Sequence, residues 1–187
     1  MMIVFLPPAP HTGAFFDSVR KRLPEFVSGA ATYAGYGNRP RTRVSIEAYA
    51  EQLLPVEPGT TLLGFHTGCL VALEMAARQA DVGKPVLVDI PFFDEATREK
   101  YAAGLDPDDP TQDAFRAAFA YDAETALARC RHEVTVIATQ SSLFEPTVKA
   151  AEILKHAHLI TREDIEKPVF ESKAMAALLR EIFLDAI

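Results

Sequence analysis

The chain has 187 residues, 49% of them hydrophobic, and a formal charge of −7 at neutral pH. That is enough apolar material for one domain with its own core, and the acidic balance excludes a nucleic-acid binder, which needs clustered Lys and Arg against phosphates. Cys69 and Cys130 are too few for a disulfide scaffold or a zinc knuckle, so the expected setting is reduced and cytoplasmic.

The first strand is predicted at Met2–Leu6. Its surroundings lack the charged n-region and long apolar h-region of a secretory signal, so none is expected. No stretch reaches the roughly 18 apolar residues of a membrane span, so no membrane partner is expected either. A helix over Gly13–Leu23 and a strand over Ala30–Ala34 follow. Arg39, Arg41 and Arg43 form a short basic cluster, read as a solvated loop. Next come a helix at Ser45–Leu54, a strand at Thr60–Phe65, a helix at Cys69–Ala80 and a strand at Pro85–Ile90. The C-terminal part reads as a strand (Glu133–Thr139), a helix (Pro146–His156), a strand (Ala157–Thr161) and a last helix (Glu171–Asp185). In that helix Met175, Leu178, Leu179, Ile182 and Phe183 recur at helical spacing. Strands alternating with helices predict an α/β fold, a mostly parallel sheet of about six strands flanked by helices.

The alternation breaks between Phe92 and Arg131, a segment too long for an ordinary crossover. Asp109-Pro110 and Asp122 read as helix starts within it, the first with proline at N1. The expectation is a single domain over residues 1–187 with a small helical lid, 92–131, inserted over the C-terminal edge of the sheet.

The densest signal is Gly64-Phe65-His66-Thr67-Gly68, between the apolar run ending in Leu62-Leu63 and the apolar helix from Leu70 to Ala77. Strand, tight turn and helix in that order make a nucleophile elbow, G-x-S-x-G, in which small residues flank one side chain lifted above the sheet. Here the serine's place is taken by His66.

Four segments make the chain resemble the α/β-hydrolase superfamily. Ile3-Val4-Phe5-Leu6-Pro7-Pro8-Ala9-Pro10 resembles its strand and oxyanion loop, and Tyr33-Ala34-Gly35-Tyr36-Gly37-Asn38-Arg39-Pro40 is similar to its D-x-P-G-x-G-x-S turn. Gly64 to Gly68 matches the elbow except at its middle. The sequence from Ala157 to Phe183 follows the last strand, histidine loop and last helix. The resemblance implies an α/β-hydrolase fold with a degenerate triad: His66 for the serine, Ser142 where the acid is expected, and Lys167 where the histidine belongs. Serine chemistry needs a hydroxyl, a base in reach and an acid orienting that base. A lysine holds its proton at neutral pH and cannot take another.

Part of the machinery is still expected. Thr67 and Ala9 own the N–H groups of an oxyanion hole, whereas Pro7, Pro8 and Pro10 cannot donate. The helix from Gly68 adds a positive dipole end. Residual chemistry would centre on His66 as base or nucleophile, with Asp89 as its acid and His11 projecting into the same crevice. Two histidines and a carboxylate can hold a metal, but no short metal motif accompanies them, so neither metal nor cofactor is expected. Phe15, Phe92 and Phe144 are candidate ligand contacts for a flat or apolar molecule, in company with Phe16, Phe93 and Tyr36. A nucleotide fold would need a glycine-rich turn after the first strand, and three prolines stand there instead.

The leading expectation is a pseudoenzyme that binds a small molecule carrying a carbonyl or carboxylate. The alternatives are a lyase, isomerase or atypical hydrolase using His66, and a protein-interaction role. The sequence carries no signature of oligomeric state.

Overall fold

The computed structural model describes residues 2–185. Six strands form one sheet, all pairs parallel, in the order β2-β1-β3-β4-β5-β6. The strands are β1 (Met2–Leu6), β2 (Val27–Ala30), β3 (Thr61–Phe65), β4 (Val86–Val88), β5 (Val134–Thr139) and β6 (Ala157–Arg162). The chain runs from β1 outward to β2, returns across β1 to β3, then proceeds monotonically to β6. The C-terminal ends of β1 and β3 therefore flank the point where strand order reverses, the usual location of a ligand crevice in such sheets.

Alternation along the strands separates two cores. Leu6, Leu62, Leu87 and Val136 face one layer, made chiefly of α2 (Ile46–Leu53), α3 (Thr67–Arg78), α6 (Ala123–Arg129) and α7 (Phe144–Ile153). Phe5, Leu63, Val86, Val88 and Ile137 face the other, where α1 (Asp17–Lys21) and α8 (Lys173–Leu184) pack with Phe16, Phe170 and Phe183. The central strand β3 is buried on both faces, as a parallel strand between helical layers must be. Ser45, Asp122 and Ser172 cap α2, α6 and α8 through their side-chain oxygens, which satisfies amides the helices cannot use internally.

One strand differs from its expected position. Ala30–Ala34 was the predicted run, but the ladder to β1 spans Val27–Ala30, with Val4 opposite Gly29 and Phe5 opposite Ala30. The residues beyond it are buried for another reason. The Tyr33 ring stacks on Tyr49 at 4.9 Å and its hydroxyl donates to Pro7 O at 3.0 Å, so this apolar run packs as a loop under the crevice.

The segment 92–131 holds α4 (Glu95–Ala103), a 3-10 turn at Pro110–Gln112, α5 (Asp113–Ala120) and α6. Asp109 caps the turn and Asp122 caps α6. α6 lies in the sheet-covering layer, with Leu127 fully buried. α4 has no buried residue and rests on α5. The arginine cluster is not simply solvated. Arg41 donates twice to the fully buried Asp113, at 2.7 and 2.8 Å, and Arg116 pairs with the same carboxylate. The Tyr36 hydroxyl accepts from Ala114 N at 2.8 Å and donates to Thr111 O at 3.1 Å. Buried ions persist where bidentate partners satisfy them, and this network ties the loop after β2 to the start of α5. Among the described residues no helix is long and apolar enough to cross a membrane.

Candidate functional site

The elbow is built by two contacts that only glycine permits. A Cβ on Gly64 would lie 2.4 Å from Gly68 O and 2.6 Å from Cys69 Cα, and one on Gly68 would lie 2.0 Å from Leu6 O. Without side chains at both positions, α3 starts directly against the ends of β3 and β1. The middle one of the three residues between them is then held at φ 48°, ψ −117°, a conformation that costs a non-glycine residue about 1–3 kcal/mol. That residue is His66. His66 N donates to Val88 O at 3.2 Å, and Cys69 N donates back to His66 O at 2.8 Å.

His66 borders a cavity of about 280 Å³ with Thr67, Pro91, Phe93, Tyr101, Phe115, Ala118, Phe119, Ser142 and Leu143. The roof is aromatic: Phe93 meets Tyr101 at 5.3 Å and Tyr101 meets Phe119 at 5.6 Å between ring centroids. None of these rings, nor Phe115, belongs to either core. They project from α4, α5 and the loop between β4 and α4 instead, and Tyr101 is 46% exposed. Ser142 also lines a second depression with Gln140, Ser141, Glu166 and Lys167. The depression at the elbow tip and the one bordered by Lys167 thus meet at Ser142.

The expected partnership of His66 with Asp89 is not formed. Asp89 is fully buried at the end of β4 with φ 52°, and its two oxygens accept from Thr139 N at 2.8 Å and Thr139 Oγ1 at 2.6 Å. The carboxylate clamps the end of β4 to the end of β5. Burial raises its pKa, against the hydrogen bonds from Thr139 and Ser141 and the charge of Lys167. His11 is not hydrogen-bonded to His66 either. Its ring lies tilted 4.9 Å from Phe15, Phe15 stacks on Phe65 at 5.6 Å, and Phe65 lies 3.8 Å from the His66 ring. Among the described residues no group of three His, Cys, Asp or Glu side chains is placed to hold a metal.

Burial pushes the His66 pKa down to about 4, with smaller contributions from the positive charge of Lys167 and from His11. The ring is neutral at pH 7. Its Nε2 is buried without a hydrogen-bond partner. The sign of the linkage follows directly. Above pH 6.5 the imidazole is neutral folded or unfolded. Between 6.5 and about 4 only the unfolded chain takes up the proton, so stability is lost as pH falls through that window. The full shift corresponds to about 3 kcal/mol, reduced by water in the open cavity to about 1–3 kcal/mol. Asp89 acts in the opposite sense, because a raised carboxyl pKa favours the folded state as pH drops. Urea unfolding of wild type and His66→Gln between pH 7 and pH 4 isolates the histidine: the wild type should lose about 1–3 kcal/mol more than the variant. Parallel losses would show that the ring is not desolvated.

The Thr67 and Ala9 amides have no hydrogen-bond partner among the described residues, and the tight Gly68–Leu6 contact brings α3's first turn against the loop that carries Ala9. Thr67 lines the cavity; Ala9 packs beside the core. Of the aromatic candidates, Phe15 belongs to the opposite core with Phe16, Phe65 and Phe170, Phe92 lines a different cleft, and Phe144, half-buried at the start of α7, does not line the cavity. The rings that do line it include Tyr101, Phe115 and Phe119, which sequence reasoning passed over. Phe115 and Phe119 stand four apart on α5, a spacing that places both on one helix face.

Parallel sheet, strand order and a strained elbow at the crossover point define an α/β-hydrolase fold with imidazole at the elbow tip. No protein-family model matches the sequence, and no curated protein matches it. Solved structures match over nearly the whole chain. A lipase-esterase related protein from Clostridium acetobutylicum superposes with a TM-score of 0.78 at 16% identity, over 100% of this chain and 94% of that one. A thermophilic esterase from Thermogutta terrifontis gives 0.79 at 15%, over 100% and 90%. An α/β hydrolase from Sphaerobacter thermophilus gives 0.76 at 17%, over 97% and 92%. This chain has the fold of those hydrolases.

Proposed function

We propose that the chain binds a small organic molecule bearing a carbonyl or carboxylate in the His66 cavity, and that it does not carry out serine-type ester hydrolysis. The observation that carries the reading is a neutral imidazole at the elbow tip, under an aromatic roof that serves no core. The free Thr67 amide, the N-terminus of α3 and the nearby Lys167 charge favour an oxygen-rich group at the floor. In this reading α4 and α5 act as the cover of the site, and Ser142 and Lys167 are relics of a triad.

A general-base role for His66 has less support. A base works best with a pKa near the working pH, this ring titrates near 4, and no carboxylate orients it. The test pairs binding with labelling. Benzoate should bind saturably by calorimetry, weakened about tenfold in His66→Ala and in Lys167→Gln, while a fluorophosphonate probe should leave the protein unlabelled. Stoichiometric labelling, or benzoate binding indifferent to both substitutions, would overturn the reading.

A further inference from the structure

A second cavity, of about 430 Å³, opens between α4, α6 and α7, away from the elbow. Its size falls in the range of small-molecule sites, about 300–1,000 Å³. Phe92, Phe93 and Pro146 supply an apolar wall, and five charged side chains surround the rest: Asp94, Glu95, Arg98, Glu124 and Lys149. No two of the five form an ion pair with one another. Glu95 lies three residues before Arg98 on α4, a spacing that allows a pair, and none forms. The Arg98 guanidinium makes one hydrogen bond, from Nη1 to Tyr121 O at 3.0 Å, and its Nε is buried with no partner. Asp94 accepts from Thr97 N at 2.7 Å as the cap of α4, while Glu95 and Glu124 are exposed at the rim.

Charges of both signs held apart around one apolar-walled cavity are complementary to a ligand that carries both signs itself. A simple anion would meet three carboxylates, and a simple cation would meet Arg98 and Lys149. From this arrangement we infer that the cleft is a second binding site, for a free α-amino acid with an aromatic side chain. Its carboxylate lies towards Arg98 and Lys149, its ammonium towards Asp94, Glu95 and Glu124, and its ring against Phe92, Phe93 and Pro146. Charge-assisted hydrogen bonds of this kind are the strong ones, and the buried Arg98 Nε gains its missing partner only from a ligand that carries a carboxylate. Phe93 also lines the His66 cavity, so one ring is a wall of both sites.

The assignment does not depend on the function proposed for His66. L-phenylalanine is the probe, titrated into the full chain and followed by calorimetry and by amide chemical shifts. Saturable binding is expected, with the largest shifts at residues 94–98 and 147–149. 3-Phenylpropionate, which lacks the ammonium, and phenethylamine, which lacks the carboxylate, should each bind roughly tenfold or more weakly. Lys149→Gln, an exposed position that does not threaten the fold, should weaken L-phenylalanine severalfold, and Arg98→Gln more. No saturable binding, equal affinity for 3-phenylpropionate, or shifts centred on Thr67 and Ser142 would each overturn the assignment.

Discussion

Gly68→Ala should be among the most damaging single-atom changes available in this chain. The added carbon would sit 2.0 Å from Leu6 O, 2.7 Å from Leu6 C and 3.1 Å from Pro7 O. All three are backbone atoms of β1 or the loop after it, and cannot swing aside as a flexible side chain would. Either α3 moves off the sheet or β1 shifts in its ladder, where Leu6 pairs with Gly64. Overpacking that forces backbone displacement costs about 1–3 kcal/mol and occasionally more. Here the displaced elements carry the buried centre of one core, Leu6, Leu70, Val71 and Met75, so a loss of at least about 3 kcal/mol is expected, a large share of a typical domain's stability of about 5–15 kcal/mol. Gly59→Ala is the matched control. Gly59 has φ 76° but nothing within 4 Å of a built Cβ, so its cost is conformational alone, about 1–2 kcal/mol. Urea midpoints measure the difference, and equal destabilisation would mean that the elbow contact is not rigid.

The same glycines explain why the fold was legible in the sequence. Gly64 and Gly68 bracket three residues, His66 in the middle, between an apolar strand and an apolar helix, and that spacing has few physical solutions other than an elbow. Alternating strands and helices carried the parallel sheet, and Asp109-Pro110 and Asp122 marked helix starts through capping chemistry. The site was less legible. Asp89 stood at a plausible strand end, but whether its carboxylate reaches His66 or Thr139 depends on how two strands end relative to each other. Periodicity along one chain does not encode that relation. Phe15, Phe92 and Phe144 failed as cavity contacts for a related reason. A loop aromatic is apolar whichever way it turns, and Phe15 gains more by joining Phe16, Phe65 and Phe170 than by lining a crevice. Arg41 was misread because its partner, Asp113, lies 72 residues away.

Building a Ser-His-Asp set at positions 66, 167 and 142 is the sharpest test of the degenerate-triad reading. His66→Ser alone would place a hydroxyl at the strained tip, beside the free Thr67 amide, with no base to deprotonate it. Asp89 is buried against Thr139 and holds no base towards the tip. His66→Ser is therefore expected to show no hydrolysis of p-nitrophenyl acetate above background. Adding Lys167→His and Ser142→Asp supplies the base and its orienting acid along the edge where Ser142 joins the two depressions. General-base assistance contributes about 10²–10⁴-fold, so the triple variant should exceed His66→Ser by at least about a hundredfold and gain stoichiometric fluorophosphonate labelling. Burial that holds His66 near pKa 4 arises at the elbow tip; a histidine at the exposed position 167 escapes most of that desolvation and keeps a pKa suited to proton transfer. A correctly folded triple variant no faster than the single one would show that Ser142 and Lys167 do not occupy the acid and base positions, and the degenerate-triad reading would fall with them.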